Sequence, residues 1–117
     1  MFDLAVCENW SFRWIAALAE MVRKLVRPFG RVEGIPRGGL RLAEALRPNC
    51  STEAKSLLLV DDVLTTGGSM ARAFQEHCSN GYEPWQIDGA VIFARGKCPS
   101  WIRPVFQLPI ELWLPTK

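Results

Sequence analysis

Leu57 to Met70 reads LLLVDDVLTTGGSM, and this stretch decides the fold. Leu57, Leu58, Leu59 and Val60 form an apolar run with no polar alternation. Such a run predicts a strand buried on both faces, at the centre of a parallel sheet. Thr65, Thr66, Gly67, Gly68 and Ser69 come almost at once after it. They predict a turn into a helix over Gly68 to Cys78, stopped by Asn80-Gly81. A helix start of this kind offers unpaired N–H groups and the positive end of the helix dipole, which together bind anions. The three hydroxyls add donors, and the glycines let a phosphate approach the main chain. Between the strand and the turn stand two carboxylates, Asp61 and Asp62. They repel a phosphate, so they must face another part of its molecule. Two adjacent hydroxyls, as on a ribose, suit two acceptor groups. A phosphorylated sugar satisfies both halves of the stretch.

Working outward, Asn9 to Arg27 carries Trp14, Ile15, Leu18, Val22, Leu25 and Val26 at helical spacing. It predicts a first helix, capped by Asn9 or Ser11 and stopped at Pro28 and Gly30. The Trp10, Phe12 and Trp14 cluster is expected to pack in the core. Arg31 to Ile35 is a short strand, broken by Pro36-Arg37-Gly38-Gly39, and Leu40 to Arg47 resumes as a helix. Asn49 to Lys55 is a polar linker, and Ile87 to Ala94 is a further apolar strand. The remainder, to Lys117, is rich in proline and reads as loops and short extended pieces. Strand alternating with helix predicts an α/β domain: a small three-layer unit with a mostly parallel sheet. Ligands of such sheets bind outside the carboxyl ends of the strands. Two of those ends carry unusual chemistry, Ile35 running into PRGG and Val60 running into DDVLTTGGS.

The 117 residues are expected to form one domain, residues 1–117. Fourteen basic residues against twelve acidic ones leave a net charge of +2. That balance does not support a nucleic-acid or membrane partner. No apolar run is long enough to span a bilayer, and MFDLAVCENW lacks the form of a signal peptide, so a cytoplasmic protein is expected. Cys7, Cys50, Cys78 and Cys98 lack the spacing of a metal knuckle or redox pair and are expected to be reduced thiols. His77, the sole histidine, is expected to be partly buried and structural.

Other readings of the central stretch fit less of it. A Walker A loop needs GxxxxGK[ST], whose lysine is missing, and a GxGxxG run does not occur. Response-regulator receivers place paired acids after an aliphatic strand, but near the start of a longer domain. A strand followed by a capped helix accounts for Ser69 and the glycines and leaves the two carboxylates unexplained. The whole of LLLVDDVLTTGGSM resembles the 5-phosphoribosyl-1-diphosphate (PRPP) loop of the type I phosphoribosyltransferases. That signature is four hydrophobic residues, two acids, a spacer, and Thr-Thr-Gly-Gly-Ser/Thr. The resemblance implies a truncated, Rossmann-like version of that fold. It implies that Asp61 and Asp62 take the ribose hydroxyls in the catalytic centre, and that Thr65, Thr66, Gly67, Gly68 and Ser69 hold the 5′-phosphate.

GIPRGGL, from Gly34 to Leu40, is similar to the same family's pyrophosphate loop. By that resemblance Pro36, Arg37 and the amides of Gly38 and Gly39 meet the diphosphate, and the Pro36–Arg37 bond is the candidate for the loop's cis peptide. Arg95, next to last in GAVIFARG (Gly89 to Gly96), corresponds by the same resemblance to an arginine that contacts the base in orotate-type members, although Ala94 replaces their usual Asp. Trp101, Phe106 and Trp113 are candidates for a hood over the base. The resemblance further implies Mg²⁺ carried by PRPP near Asp61 and Asp62, a nitrogenous base as acceptor, a homodimer, and a place in nucleotide metabolism. Members commonly hold another strand and a mobile lid between their two loops. Here only the 20 residues from Leu40 to Leu59 intervene, so the lid and at least one edge strand are expected to be missing. The expected activity is transfer of 5-phosphoribose from PRPP to a base, with pyrophosphate released. The alternative is a PRPP- or nucleotide-binding protein on the same fold that does no chemistry.

Overall fold

The structure is a computed structural model that describes residues 12–109, with side chains from Trp14 onward. In chain order the elements are α1 (Phe12–Leu25), β1 (Arg31–Gly34), α2 (Gly39–Leu46), β2 (Leu57–Leu64), α3 (Gly68–Ser79), β3 (Ile87–Arg95) and β4 (Ile102–Leu108). The four strands form one sheet in the order β1-β2-β3-β4, and every neighbouring pair is parallel.

Helices cover both faces, so the layers number three. On one face α1 supplies Leu18, Ala19 and Val22, and α2 supplies Leu42, Ala43 and Leu46; they pack on Val32, Leu58, Val60, Ala90 and Ile92. On the other face Met70 of α3, with Ala73, Phe74 and Cys78 beside it, packs on Leu57, Leu59, Ile87 and Val91. Leu57 to Val60 are wholly buried because alternate residues feed the two cores. Full burial of each such side chain is worth about 1.5–3 kcal/mol.

Four features depart from the expectations drawn from sequence. First, β2 continues four residues past Val60, so Asp61 and Asp62 lie within the strand. Asp61, Val63 and Leu64 keep register with Val91, Phe93 and Ala94. Second, the proline-rich tail contains a true strand. Pro104 is accommodated because β4 is an edge strand, where a missing N–H need not break a ladder. Third, Trp101 is no hood residue: its ring lies 4.8 Å from that of Phe74 in the α3-side core. Phe106 does stand at the surface, 41% exposed and stacked 5.4 Å from Phe93. Trp113 lies outside the described residues. Fourth, Trp14 is 58% exposed and so is not a core residue; Trp10 lies outside the described residues.

The histidine and cysteine expectations hold among the described residues; Cys7 lies outside them. His77 is mostly buried, 3.2 Å from Glu33 Oε1 and edge-on to Tyr82. Cys50, Cys78 and Cys98 are free thiols. Among the described residues no helix is long and apolar enough to cross a membrane.

The β3-to-β4 connection has only Gly96 to Trp101 in which to return the length of a strand. Parallel strands are usually joined by about a dozen residues or more. Here no helix fits, so the chain runs back directly and is pinned where it arrives: the Gly89 amide donates to the Trp101 carbonyl at 2.9 Å. A β-carbon on Gly89 would stand 2.8 Å from both Met70 Cε and Trp101 Cζ3. Gly-to-Ala in a strand ordinarily stabilises by about 0.5–1 kcal/mol, but crowding a packed site costs about 1–3 kcal/mol. Gly89→Ala is therefore expected to lower the melting temperature. A variant melting at or above the wild-type temperature would show that the crossover shifts freely.

Candidate functional site

Both sequence motifs lie at the carboxyl end of the sheet, on neighbouring strands. The β1–β2 register sets Gly34 beside Val60, and the Ile35 amide extends the pairing by donating to the Val60 carbonyl at 2.8 Å. The chain then turns through Pro36, Arg37 and Gly38, all exposed. The Pro36–Arg37 peptide is cis. The Gly39 amide donates to Ile35 O at 2.8 Å and closes the turn into α2, so that donor is already used within the chain. Among the described residues the Arg37 and Gly38 amides donate to no backbone carbonyl.

The two loops touch through their smallest parts. A β-carbon on Gly38 would overlap the Asp62 carboxyl, and one on Gly39 would overlap the Val60 carbonyl. Two motifs separated in sequence by 20 residues or fewer thus form one continuous surface, and glycine is what permits the approach.

After Leu64, Thr65 and Thr66 are exposed, and Gly67 takes the left-handed conformation at φ 84° as the N-cap of α3. No side chain caps this helix directly. The Gly68 amide donates to Thr66 Oγ1 at 3.3 Å, and the Ala71 amide donates to Gly67 O at 2.9 Å. The Ser69 and Met70 amides find no backbone acceptor among the described residues. They are the orphan donors of a helix start, at the end of the dipole that favours anions.

Asp61 and Asp62 stand between these two donor groups. Asp61 is half-buried and Asp62 exposed. The Asp62 amide donates to Asp61 Oδ1, and the Val63 amide to Asp62 Oδ1, each at 2.8 Å. These bonds fix both carboxyls. Burial first, and then the adjoining Asp62 side chain, push the Asp61 carboxyl up from its ordinary 3.8 to about 7. Among the described residues no cluster of three or more His, Cys, Asp or Glu could hold a metal unaided.

Arg95 ends β3 at the same end of the sheet, one residue beyond the Leu64–Ala94 pair. Sequence reasoning passed over Gln107, whose amide donates to the carbonyls of Ala94, Gly96 and Leu108. It ties β4 to the loop after Arg95. A glutamine in a proline-rich tail carries no signal for that role. An open cleft of about 870 Å³ lies along the crossover and β4, bordered by Lys97, Pro99, Arg103 and Gln107. Neither donor loop borders it. The site itself is an open shelf.

No protein-family model and no curated protein matches the sequence. Solved structures do match. A Mycobacterium tuberculosis orotate phosphoribosyltransferase, crystallised with PRPP, superposes with a TM-score of 0.67 at 18% identity, covering 83% of this chain and 75% of that one. An adenine phosphoribosyltransferase from Giardia lamblia, complexed with 9-deazaadenine, gives 0.61 at 17% identity over 81% and 80%. The fold is that of the type I phosphoribosyltransferases. A hypothetical protein from Neisseria gonorrhoeae with bound ppGpp shares this architecture, with a TM-score of 0.58 at 20% identity over 82% and 77%. At these identities the likeness is one of fold. In this chain β1, at one edge of the four-stranded sheet, has four residues.

The Asp61 shift has a measurable consequence. With its carboxyl raised, the folded chain binds more protons than the unfolded one between about pH 4 and 7. Stability contributed there falls as pH rises and stays lost above 7. Because the group is half exposed, the effect is discounted to about 1–2 kcal/mol. Asp61→Asn should therefore stabilise the ligand-free protein more at pH 8 than at pH 5 in thermal melts. Equal shifts at the two pH values would refute the raised carboxyl.

Proposed function

We propose that this chain binds PRPP and transfers its 5-phosphoribosyl group to a nitrogenous base, releasing pyrophosphate. The observation carrying this reading is the contact of Gly38 with Asp62, which joins one set of anion donors to another across a pair of carboxylates. A diphosphate, a diol and a phosphate on one sugar match that sequence of groups.

In this reading the 5′-phosphate lies on the turn from Thr65 to Ser69, held by hydroxyls and by the free amides at the start of α3. Asp61 and Asp62 accept from the two ribose hydroxyls. Arg37 and the Gly38 amide hold the diphosphate, a role suited to a planar multiple donor. Gly39 contributes by fitting against Val60. Arg95, at the end of β3, contacts the base in this reading. The leaving group departs with both electrons of its bond to C1, and positive charge develops on the sugar beside the two carboxylates. The hard oxygen donors of Asp61 and Asp62 fit Mg²⁺ arriving with PRPP, which would neutralise diphosphate charge. Because the described residues form no metal cluster, the ligand must supply most of that coordination. A homodimer and a place in nucleotide synthesis or salvage follow from the same reading.

A second reading, a nucleotide-binding protein without turnover, draws on the shortened connection between the loops and on the fold neighbour with bound ppGpp. Calorimetry with Mg-PRPP, followed by pyrophosphate release with orotate, uracil and purines, separates the two. Binding with base-dependent release is expected, and Arg37→Ala or Asp62→Asn should weaken binding by about tenfold or more. Binding without release from any base favours the second reading, and no binding at all refutes both.

A further inference from the structure

From the course of the chain around the two loops we infer that this site also passes the phosphoribosyl group to water. It would act as a PRPP hydrolase that yields ribose 5-phosphate and pyrophosphate when no base is present. The inference rests on the reading of the shelf as a PRPP site.

The decisive segment is the one joining the two loops. α2 takes Gly39–Leu46 and a single 3₁₀ turn takes Arg47–Asn49. The chain beyond Asn49 is fastened at the opposite end of the sheet. The Ser51 amide donates to Phe29 O at 2.9 Å, the Ser56 hydroxyl to Pro28 O at 2.9 Å, and the Gly30 amide to Ser56 O at 2.9 Å. Gln86, just before β3, donates its side-chain amide to Lys55 O at 3.2 Å. Residues 50–56 therefore run along the amino ends of β1 to β3. Nothing between the loops remains to reach over the shelf.

A second connection leaving the carboxyl end is the Gly96–Trp101 crossover. It is also committed. Gln107 holds the Gly96 carbonyl, Cys98 Sγ donates to Ile102 O at 3.3 Å, and Trp101 is locked against Phe74 and Gly89. Among the described residues, then, no segment is placed to exclude water from the sugar carbon held between Asp62 and Arg37. Thr65, Thr66, Ser69, Pro36, Arg37 and Gly38 are all exposed.

An open site that stabilises charge at C1 gives water access to the reacting carbon. The step balances simply. The C1–O bond to diphosphate breaks with its electron pair going to pyrophosphate, a water oxygen forms the new C1–O bond, and one proton goes to solvent. No oxidant or reductant takes part. Attack opposite the departing group inverts the α configuration at C1.

The test is Mg-PRPP with the intact chain and no base, assayed for pyrophosphate and ribose 5-phosphate, with the same assay in aqueous methanol. Pyrophosphate release at least tenfold above the protein-free rate is expected, matched by ribose 5-phosphate and lost in Arg37→Ala. In methanol part of the product should become the methyl β-riboside 5-phosphate, in proportion to methanol content. That stereochemistry separates attack in the site from breakdown in solution. Calorimetry distinguishes the ways to fail. If PRPP binds and transfers only to a base, the inference is overturned and the transferase reading stands. If PRPP binds and nothing is released, the inference and turnover both fail. If PRPP does not bind, the underlying reading is wrong.

Discussion

The Ile35 amide donates to the Val60 carbonyl at the top of the β1–β2 ladder, and the geometry of the shelf depends on the register that this bond ends. Slipping β1 by one residue would turn Val32 out of the core, where it is 1% exposed. Slipping by two would carry the PRGG turn about 7 Å from Asp62. Both are resisted by close packing beyond the strand: Gly39 lies against the Val60 carbonyl and Gly38 against the Asp62 carboxyl. The donors for two anions are thus held at a fixed distance by main chain, with few rotatable bonds between them. Such a surface needs little ordering when a ligand arrives, which lowers the entropic cost of binding.

The same compactness creates the electrostatic tension of the site. Two neighbouring carboxylates are drawn back by amides of their own strand, and one of them, half-buried, holds its proton to about pH 7. Like charges this close disfavour joint ionisation. Near neutral pH the pair is therefore less negative than its composition suggests. That matters where anions must sit on either side. A proton on Asp61 also makes that group a donor as well as an acceptor towards a diol.

The sequence was legible where one residue type permits one environment. Leu57 to Val60 could only be a central strand, and glycines with hydroxyls could only open α3. Strands alternating with helices implied a parallel sheet, and in such a sheet two motifs that each follow a strand lie at one end. The features that escaped were tertiary. β2 runs through Asp61 and Asp62 because Val91, Phe93 and Ala94 of β3 offer it a partner, which local alternation does not reveal. β4 was obscured by Pro104, whose meaning depends on whether a strand lies at an edge. Trp101 looked like a covering residue by its position in the tail, but the short crossover turns it inward against Phe74. Nor does any pattern in the letters announce that Gly38 meets Asp62; that contact needs the register.

A lid does two jobs in this kind of chemistry, assembling the site and keeping water out. Here the first is done by packing before any ligand binds, since Gly38, Asp62 and the start of α3 are already in place. The second has no candidate among the described residues. On the proposed transferase reading, an acceptor base must compete with solvent by being held, and apolar surface is what can hold a flat ring against water. At the carboxyl end of the sheet Phe106 is stacked on Phe93, the cross-strand partner of Val63. Val63 is two residues from Asp61 on the same strand. On the proposed reading, that pair is the apolar surface on which a base would rest, so that the acceptor itself does part of the shielding. On that reading the balance between base and water tracks the stacking strength and concentration of the acceptor, with no loop closure among the described residues to set it.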